Sequence, residues 1–158
     1  MGKNEKTNAI RLLESQKVLY ELIEYEAADG KIDGLSVAEK IGYPAKLVFK
    51  TLVTTAGAGK YVVCIIPVEQ ELNLKKVAKE VGEKKIDLLP VKDLLATTGY
   101  IRGGCSPIGM KKLFPTILDE GANNLPYIIV SGGKIGLQVK ITVEDLLLMT
   151  KGKIASIC

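Results

Sequence analysis

The spacing of apolar residues divides the chain into alternating helical and extended segments. Apolar positions three or four residues apart predict helices over 7–17 and 74–81. Alternating apolar and polar side chains, with many β-branched residues, predict strands over 18–25 and 47–55. Because helices and strands are mixed along the chain, the pattern favours an α+β fold.

Capping and turn residues delimit the remaining elements. Asn73 is the expected N-cap of the helix over 74–81, and Ser36 with Glu39 matches a capping box. Pro90 is expected at the first helical position of another helix, and Thr142 caps the last one. Further strands are predicted over 61–68, 86–89, 116–118, 127–131, 134–141 and 154–157, and further helices over 36–41, 90–96 and 142–149. No linker or change of composition interrupts the chain, so we expect a single domain over 1–158.

The segment 99–109 is rich in residues that disfavour regular structure. Four of its eleven residues are glycine and one is proline, so it is neither a helix interior nor a central strand. Gly103 and Gly104 open the backbone N–H groups to a ligand, and Ser106 and Arg102 add a hydroxyl and a positive charge. The segment is interpreted either as a loop that holds a carbonyl or phosphate group, or as a long structural turn.

Three side chains outside this loop are candidates for a binding site. Lys50 shares its strand face with apolar residues, so it needs an anionic partner in a site unless it reaches solvent from an edge strand. Tyr25 ends an early strand and is either a site residue or an interfacial aromatic. Ser131 precedes Gly132-Gly133, which predicts a tight hairpin, and its hydroxyl either contacts a ligand or caps the turn.

Composition restricts the chemistry that the chain can perform. It has 158 residues, a net charge of +4 and no histidine, which excludes Ser-His-Asp and Cys-His catalysis within the chain. Three scattered cysteines without histidine do not predict a metal site, and they fit free thiols in a reducing compartment. No apolar run is long enough to span a membrane, so we expect a cytoplasmic protein. Lysines 75, 76 and 79 form a helix face that is either solvated or contacts nucleic-acid phosphates.

Four motifs, in order and at compatible spacing, carry a family resemblance that spans nearly the whole chain. They are Phe49-Lys50-Thr51-Leu52, Leu72-Asn73-Leu74-Lys75-Lys76, the segment from Gly99 to Gly109, and Val130-Ser131-Gly132-Gly133-Lys134 with Gly136-Leu137. Together they resemble the YbaK family, the free-standing homologues of the editing domain inserted in bacterial prolyl-tRNA synthetases. The resemblance implies a mixed, mostly antiparallel, barrel-like sheet surrounded by helices.

The resemblance also implies an activity and a set of site residues. Such proteins hydrolyse the ester of mischarged tRNA, typically Cys-tRNA(Pro) and in some cases Cys-tRNA(Cys). The implied catalytic residues are Lys50, Gly103, Gly104 and Ser106. The implied substrate-binding residues are Tyr25, Thr51, Arg102, Cys105, Pro107, Ser131, Gly132 and Gln138. Some relatives carry an acidic residue where this chain has Gln138, so an acidic contact to the substrate amine is not expected here, and Cys105 is not expected to be a nucleophile.

Alternative functions stay open at the level of sequence. Relatives of similar fold clear Ala-tRNA(Pro), a non-catalytic module would bind the tRNA 3′ end or a synthetase without turnover, and a glycine-rich loop alone could bind a nucleotide. We expect the aminoacyl-tRNA 3′ end as ligand, prolyl-tRNA synthetase as a partner, a monomer, and neither a cofactor nor a metal.

Overall fold

The fold is a mixture of five α-helices and eight β-strands within residues 6–158, the part of the chain that the computed structural model describes. The helices are α1 (Asn8–Ser15), α2 (Gly34–Ile41), α3 (Leu74–Val81), α4 (Val91–Thr98) and α5 (Val143–Thr150). The strands are β1 (Glu21–Glu24), β2 (Phe49–Gly57), β3 (Lys60–Pro67), β4 (Asp87–Leu88), β5 (Thr116–Asp119), β6 (Tyr127–Ser131), β7 (Leu137–Thr142) and β8 (Lys153–Ala155).

The strands form two sheets. One has the order β1-β7-β6 and is antiparallel, and the other has the order β4-β2-β3-β5-β8. In the second sheet β2 pairs antiparallel with β3 and β4, whereas β5 is parallel to both β3 and β8. The predicted α+β class with mixed sheets is therefore confirmed. The described strands do not close into a barrel, so the barrel-like shape stays a prediction.

An isolated parallel bridge between Val48, just before β2, and Ile129 on β6 connects the two sheets. The strands can therefore be followed in space as β1-β7-β6-β2-β3-β5-β8. Their side chains alternate between two faces, as the period of two in a strand requires. One face packs against α1 and the glycine-rich segment, and the other packs against α2 and α3.

Each face of the sheets has its own apolar cluster. On the first face, Phe49 of β2 and Val139 of β7 pack in one cluster with Ile10 and Leu13 of α1. On the second face, the cluster under α3 contains Val62, Cys64 and Ile66 of β3, and the cluster under α2 contains Val48 and Ile129. β2 contributes side chains to the first cluster and to the cluster under α3, and Val48, which directly precedes it, belongs to the cluster under α2. This segment of the chain is therefore central to the core.

Several predicted boundaries are confirmed by the caps that define them. Thr7 caps α1 by accepting a hydrogen bond from the Ile10 N–H at 3.2 Å, and Asn73 accepts from the first turn of α3. Thr142 caps α5 by accepting from the Asp145 N–H at 3.1 Å. The sequence offers Asn4 as a second residue that could cap this helix, and it lies outside the described residues.

Other predicted boundaries were wrong. The capping box at Ser36 does not form, because Asp33 is the N-cap of α2 and accepts from the Ser36 N–H at 3.1 Å. Pro90 occupies the N-cap of α4 rather than its first helical position. The tight hairpin at Gly132-Gly133 is also wrong, because residues 132–136 all lie between β6 and β7. The strand predicted over 18–25 is shorter, Glu21–Glu24.

Candidate active site

On the edge of β2 that faces away from β3, the pairing partner changes along the strand, and a gap lies between the two partners. Before β2 begins, Val48 bridges to β6, and near its end Thr54 and Thr55 pair with β4. Among the described residues, 50–52 have no strand partner on this edge. The Val53 carbonyl accepts from the Leu89 N–H on the β4 side, and backbone groups two residues apart point the same way. The backbone groups of Thr51 therefore face this gap.

Strand register places four of the predicted site residues on one face of the sheets, beside α2. Ser131 and Gln138 are directly paired between β6 and β7, and Gln138 is paired in turn with Ile23 of β1. Tyr25 lies two residues after Ile23, and its ring lies 5.8 Å from Lys40 Nζ on α2, which confirms that it points to this face. Paired residues share a face of the sheet, so Tyr25, Gln138 and Ser131 form a row.

Lys50 continues this row on the other side of the bridge. Val48 and Ile129 lie in the same apolar cluster, so their side chains share a face. Lys50 follows Val48 by two residues, and Ser131 follows Ile129 by two residues, so alternation brings both to that face. We call the set Tyr25, Gln138, Ser131 and Lys50 the polar row.

Two members of the polar row hold polar groups that lack a protein partner. The Tyr25 hydroxyl is buried and forms no hydrogen bond with the described residues. Gln138 is only 6% exposed, and no hydrogen bond of its side-chain amide is formed within residues 6–158. Because buried polar groups are nearly always hydrogen-bonded in folded proteins, the Tyr25 hydroxyl is suited to bind a ligand, and the Gln138 amide can join it from the same row.

Lys50 is half-buried and forms no ion pair with a carboxylate of the described chain. Its positive charge acts on Cys158, at the end of the chain. Burial and the Asp119 carboxylate raise the pKa of the Cys158 thiol to about 12, while Lys76 and Lys50 oppose that rise. Lys50 is therefore a cation available to an anionic or polar ligand.

A cavity of about 460 Å³, which Lys50 itself does not line, lies at the ends of β3 and β5. Its lining includes Cys158 and Pro67. Pro67 directly follows Ile66, the residue of β3 that pairs with Lys50. Its charged lining has both signs, with Lys46 and Lys76 facing three acidic side chains. The two oxygens of one of these, Asp119, already accept from the N–H groups of Gly121 and Ile157.

The glycine-rich segment packs directly against the turn that follows β6. A Cβ atom on Gly104 would lie 2.8 Å from Lys134 Cα, so only glycine permits this approach. Gly103 has a φ of +85°, and a Cβ there would lie 2.7 Å from Ile32 Cδ1 and 3.3 Å from Ile135 Cγ1. The same turn reaches β1, since the Tyr25 N–H donates to the Gly136 carbonyl at 2.9 Å. The loop thus lies at one end of the polar row.

The backbone N–H groups of this loop differ in availability. The Gly104 N–H donates to the Ile101 carbonyl at 3.0 Å, which removes it from the candidate oxyanion donors. Within residues 6–158, the N–H groups of Gly103, Cys105 and Ser106 donate to no acceptor, although Cys105 and Ser106 are buried. Buried N–H groups without acceptors are rare, which points to those of Cys105 and Ser106 as ligand donors, and the half-buried Gly103 adds a further N–H that makes no hydrogen bond within this range.

The side chains of Cys105 and Ser106 face the core rather than a ligand. The Ser106 hydroxyl is fully buried and accepts from the Ile108 N–H at 3.2 Å, as in a serine turn. Burial raises the pKa of the Cys105 thiol to about 11, so it stays protonated at neutral pH. Any role of these residues at the site is therefore carried by their backbone.

The remaining predicted site residues lie around the row without joining it. The Thr51 side chain points to the opposite face, where its buried hydroxyl lacks a partner among the described residues. Gly132 is packed against Leu137, Arg102 is exposed, and Pro107 lines a separate cavity of about 150 Å³ with Phe114. The Ser131 hydroxyl accepts from the Gly133 N–H at 3.2 Å, so it caps its turn and still has a proton to donate.

Sequence reasoning missed Ile32, Ile135 and Lys40. Ile32 and Ile135 contact Gly103 from loops far apart in the chain, and Lys40 reaches from α2 back to the preceding loop, so local spacing gives no signal for any of the three.

Residues 6–158 contain neither a metal-binding cluster nor a membrane-spanning helix. No three or more Cys, Asp or Glu side chains form a group that could hold a metal ion. No described helix combines the length and the apolar character needed to cross a bilayer.

Comparison with known proteins adds sequence and structural relatives. The model of the aminoacyl-tRNA editing domain matches residues 35–148. EbsC of Enterococcus faecalis, named as a candidate Cys-tRNA(Pro)/Cys-tRNA(Cys) deacylase, is 50% identical over 153 residues, 97% of this chain and 93% of EbsC. The proline–tRNA ligase of Trichlorobacter lovleyi is 26% identical over 98 residues, which are 62% of this chain and 17% of the ligase. A solved structure of a candidate trans-editing enzyme for prolyl-tRNA synthetase has a TM-score of 0.84 and 22% identity, with 98% of both chains covered.

The fold and the polar row define an α+β protein with a site for a polar or anionic ligand. The chain belongs to the aminoacyl-tRNA editing domain family, because the family model covers most of it and EbsC is half identical over nearly its whole length. The resemblance that its sequence motifs indicated is thereby confirmed. The similarity to the solved structure shows that the two share a fold.

Proposed function

We propose that this protein hydrolyses the ester bond of mischarged aminoacyl-tRNA, acting in trans on released tRNA. The expected main substrate is Cys-tRNA(Pro), and Cys-tRNA(Cys) is a second expected substrate. The observation that carries the proposal is the 50% identity with EbsC over 97% of the chain. The polar row and the unpaired N–H groups of the glycine-rich loop support it, because both suit a polar acyl ester.

An aminoacyl ester needs orientation and charge stabilisation more than a strong base. In the proposed complex, the N–H groups of Gly103, Cys105 and Ser106 are the donors for the carbonyl oxygen as it becomes an oxyanion. Lys50 binds the ribose or phosphate oxygens of the tRNA 3′ end, or the developing negative charge. Tyr25 and Gln138 bind the aminoacyl group with the hydroxyl and amide that lack protein partners.

The attacking group is either water or the thiol of the substrate, since the chain has no histidine and its Cys105 thiol is protonated. In thiol attack, the substrate sulfur bonds to the carbonyl carbon while the ester C–O bond breaks. The thiol proton passes to the ribose oxygen, and water then opens the resulting thiolactone. Neither route requires a protein nucleophile.

The wider setting of the activity is also a proposal. The matching segment of proline–tRNA ligase supports prolyl-tRNA synthetase as a partner that delivers the tRNA. We place the protein in the cytoplasm as a monomer without metal or cofactor. Arg102, Ser131, Gly132 and the backbone of Thr51 contribute to the walls of the site, whereas Pro107 lines a separate cavity.

The test is single-turnover hydrolysis of Cys-tRNA(Pro), Ala-tRNA(Pro) and Cys-tRNA(Cys). Wild type should hydrolyse the cysteinyl esters, and Lys50→Ala should lose at least about a hundredfold in rate. The control Lys92→Ala, an exposed lysine of α4 away from the polar row, should hydrolyse them as wild type does. Preference for the alanyl ester would replace the proposed substrate. Binding of tRNA without any turnover would replace the enzyme with a binding module.

Blocking the thiol of the cysteinyl ester distinguishes attack by water from attack by the substrate thiol. Unchanged hydrolysis of the blocked ester excludes thiol attack, and loss of hydrolysis excludes water as the sole nucleophile.

A further inference from the structure

The ammonium group of Lys40, in the last turn of α2, makes three hydrogen bonds to the loop between β1 and α2. Its Nζ donates to the Glu26 carbonyl at 2.7 Å, to Asp29 Oδ1 at 2.7 Å and to the Lys31 carbonyl at 2.9 Å. All three N–H bonds of the ammonium are therefore used, and the side chain is only 21% exposed. One cation thus fixes three points of a single loop.

These contacts differ from an ordinary surface ion pair. An exposed lysine–carboxylate pair contributes little, because both side chains are mobile and hydrated. Here two of the three acceptors are main-chain carbonyls, which fix the path of the backbone itself. Asp29 is held in turn, since the Lys40 ammonium and the Lys31 N–H lower the pKa of its carboxyl group.

Both ends of the fixed loop contact the candidate site. At one end is Tyr25, whose ring lies 5.8 Å from Lys40 Nζ and whose hydroxyl belongs to the polar row. At the other end is Ile32, whose Cδ1 lies 2.7 Å from the position that a Cβ on Gly103 would occupy. Movement of the loop would therefore displace the tyrosine and open the contact with the glycine-rich loop together.

We propose that Lys40 is a positioning residue of the deacylation site, which holds residues 26–32 so that Tyr25 and Ile32 keep their places beside the substrate. The inference rests on the proposed function of that site. Lys40 does not contact the substrate, because its donors are already used by the loop.

The first test compares Lys40→Met, which keeps the aliphatic stem, with the matched control Lys153→Met. Lys153 also links a strand to a helix, through Glu80 Oε2 at 2.9 Å and the Glu80 carbonyl at 3.5 Å, outside the polar row. Loss of orientation should lower kcat for Cys-tRNA(Pro) by about tenfold with KM changed by less than about twofold. Lys40→Arg should restore most of kcat, and Lys153→Met should behave as wild type.

The second test does not depend on activity. The N–H groups of Lys31 and Ile32 donate within the loop, to Asp29 Oδ1 and the Gly30 carbonyl, so their hydrogen exchange reports its order. Exchange at both should accelerate in Lys40→Met and stay unchanged in Lys153→Met. If Lys40→Met fails to fold, Asp29→Asn weakens the same contacts.

The outcomes separate this inference from the proposed function. An active wild type whose kcat survives in Lys40→Met, despite faster exchange, would show that the loop is no part of the site. A fall in kcat without faster exchange would overturn the positioning role. A wild type inactive on all three esters would remove the proposed function, whatever the exchange shows.

Discussion

Val48 and Ile129 form the bridge that joins the two sheets, and both side chains are buried in one cluster beneath α2. The register of this bridge decides which residues meet across the junction. Two residues further on, it places Lys50 of β2 and Ser131 of β6 on the same face. The position of the candidate site therefore depends on the packing between these two apolar side chains.

Ile129→Ala should destabilise the protein strongly, because Ile129 is 0% exposed and its loss leaves a cavity at the junction. The expected loss is about 2–5 kcal/mol in the free energy of unfolding, measured by urea denaturation. Leu148→Ala, on a side chain that is 69% exposed, is the control and should change stability by less than about 0.5 kcal/mol. Equal effects of the two variants would contradict a tightly packed junction.

Tyr25→Phe should lower activity without lowering the stability of the fold. The hydroxyl is buried without a partner among the described residues, so its removal should leave the unfolding free energy unchanged or raise it by about 1 kcal/mol. The same change should lower kcat/KM for the aminoacyl ester, because the hydroxyl is proposed to bind it. A variant that loses stability would indicate that the hydroxyl has a partner in solution.

Gly104→Ala should impair turnover, because its Cβ would lie 2.8–2.9 Å from three backbone atoms of Lys134 and Ile135. The backbone there cannot yield as a flexible side chain would, so the loop that carries the N–H donors must shift. We expect kcat to fall by about tenfold or more in single-turnover hydrolysis. The control is Gly59→Ala, where φ is +74° but no atom lies within 4 Å, and it should keep full activity.

Stability should fall in alkaline solution because of the buried thiols. Burial raises the pKa of Cys64 from about 9 to about 12 and that of Cys105 to about 11. Between pH 9 and these values the unfolded chain loses thiol protons that the folded chain retains. The two thiols therefore contribute their full share to the free energy of unfolding below about pH 9, and this share is lost as the pH rises towards the folded-state pKa values. Urea denaturation at pH 8 and pH 10.5 measures the difference.

Cys64→Ala is the control for this dependence. It removes one of the titrating groups, so its unfolding free energy should vary less with pH than that of wild type. A slope equal to that of wild type would show that other groups cause the alkaline loss.

The polar row could be predicted in part because strand alternation is a local property. Alternation placed Lys50 on the face of Val48, and that face is the one the structure shows. The sequence does not reveal that this face continues across to Ser131, because the bridge joins strands about eighty residues apart. The prediction that Lys50 and Ser131 belong to one site came from the family resemblance of their motifs, and not from the spacing of residues.

The errors in the predicted elements have local physical causes. At α2, Asp33 and Ser36 are both residue types that favour the N-cap. The helix begins at the earlier one, because the Asp33 carboxylate accepts from the Ser36 N–H in the first turn. After β6, two adjacent glycines indicate a two-residue turn, but the N–H of Gly132 donates to the Leu137 carbonyl and lengthens the connection. The choice in each case depends on which contacts the next element can make.

The central place of β2 has a consequence for how the enzyme would fail on heating. The strand that carries Lys50 supplies side chains to two of the apolar clusters, and Val48, directly before it, belongs to the third and bridges the two sheets. Lys50 therefore cannot leave its place while the rest of the wild-type molecule stays intact, as it could if it stood on a peripheral hairpin. Thermal inactivation and global melting should coincide in a single transition, with no cooler range in which the fold persists but the chemistry has stopped.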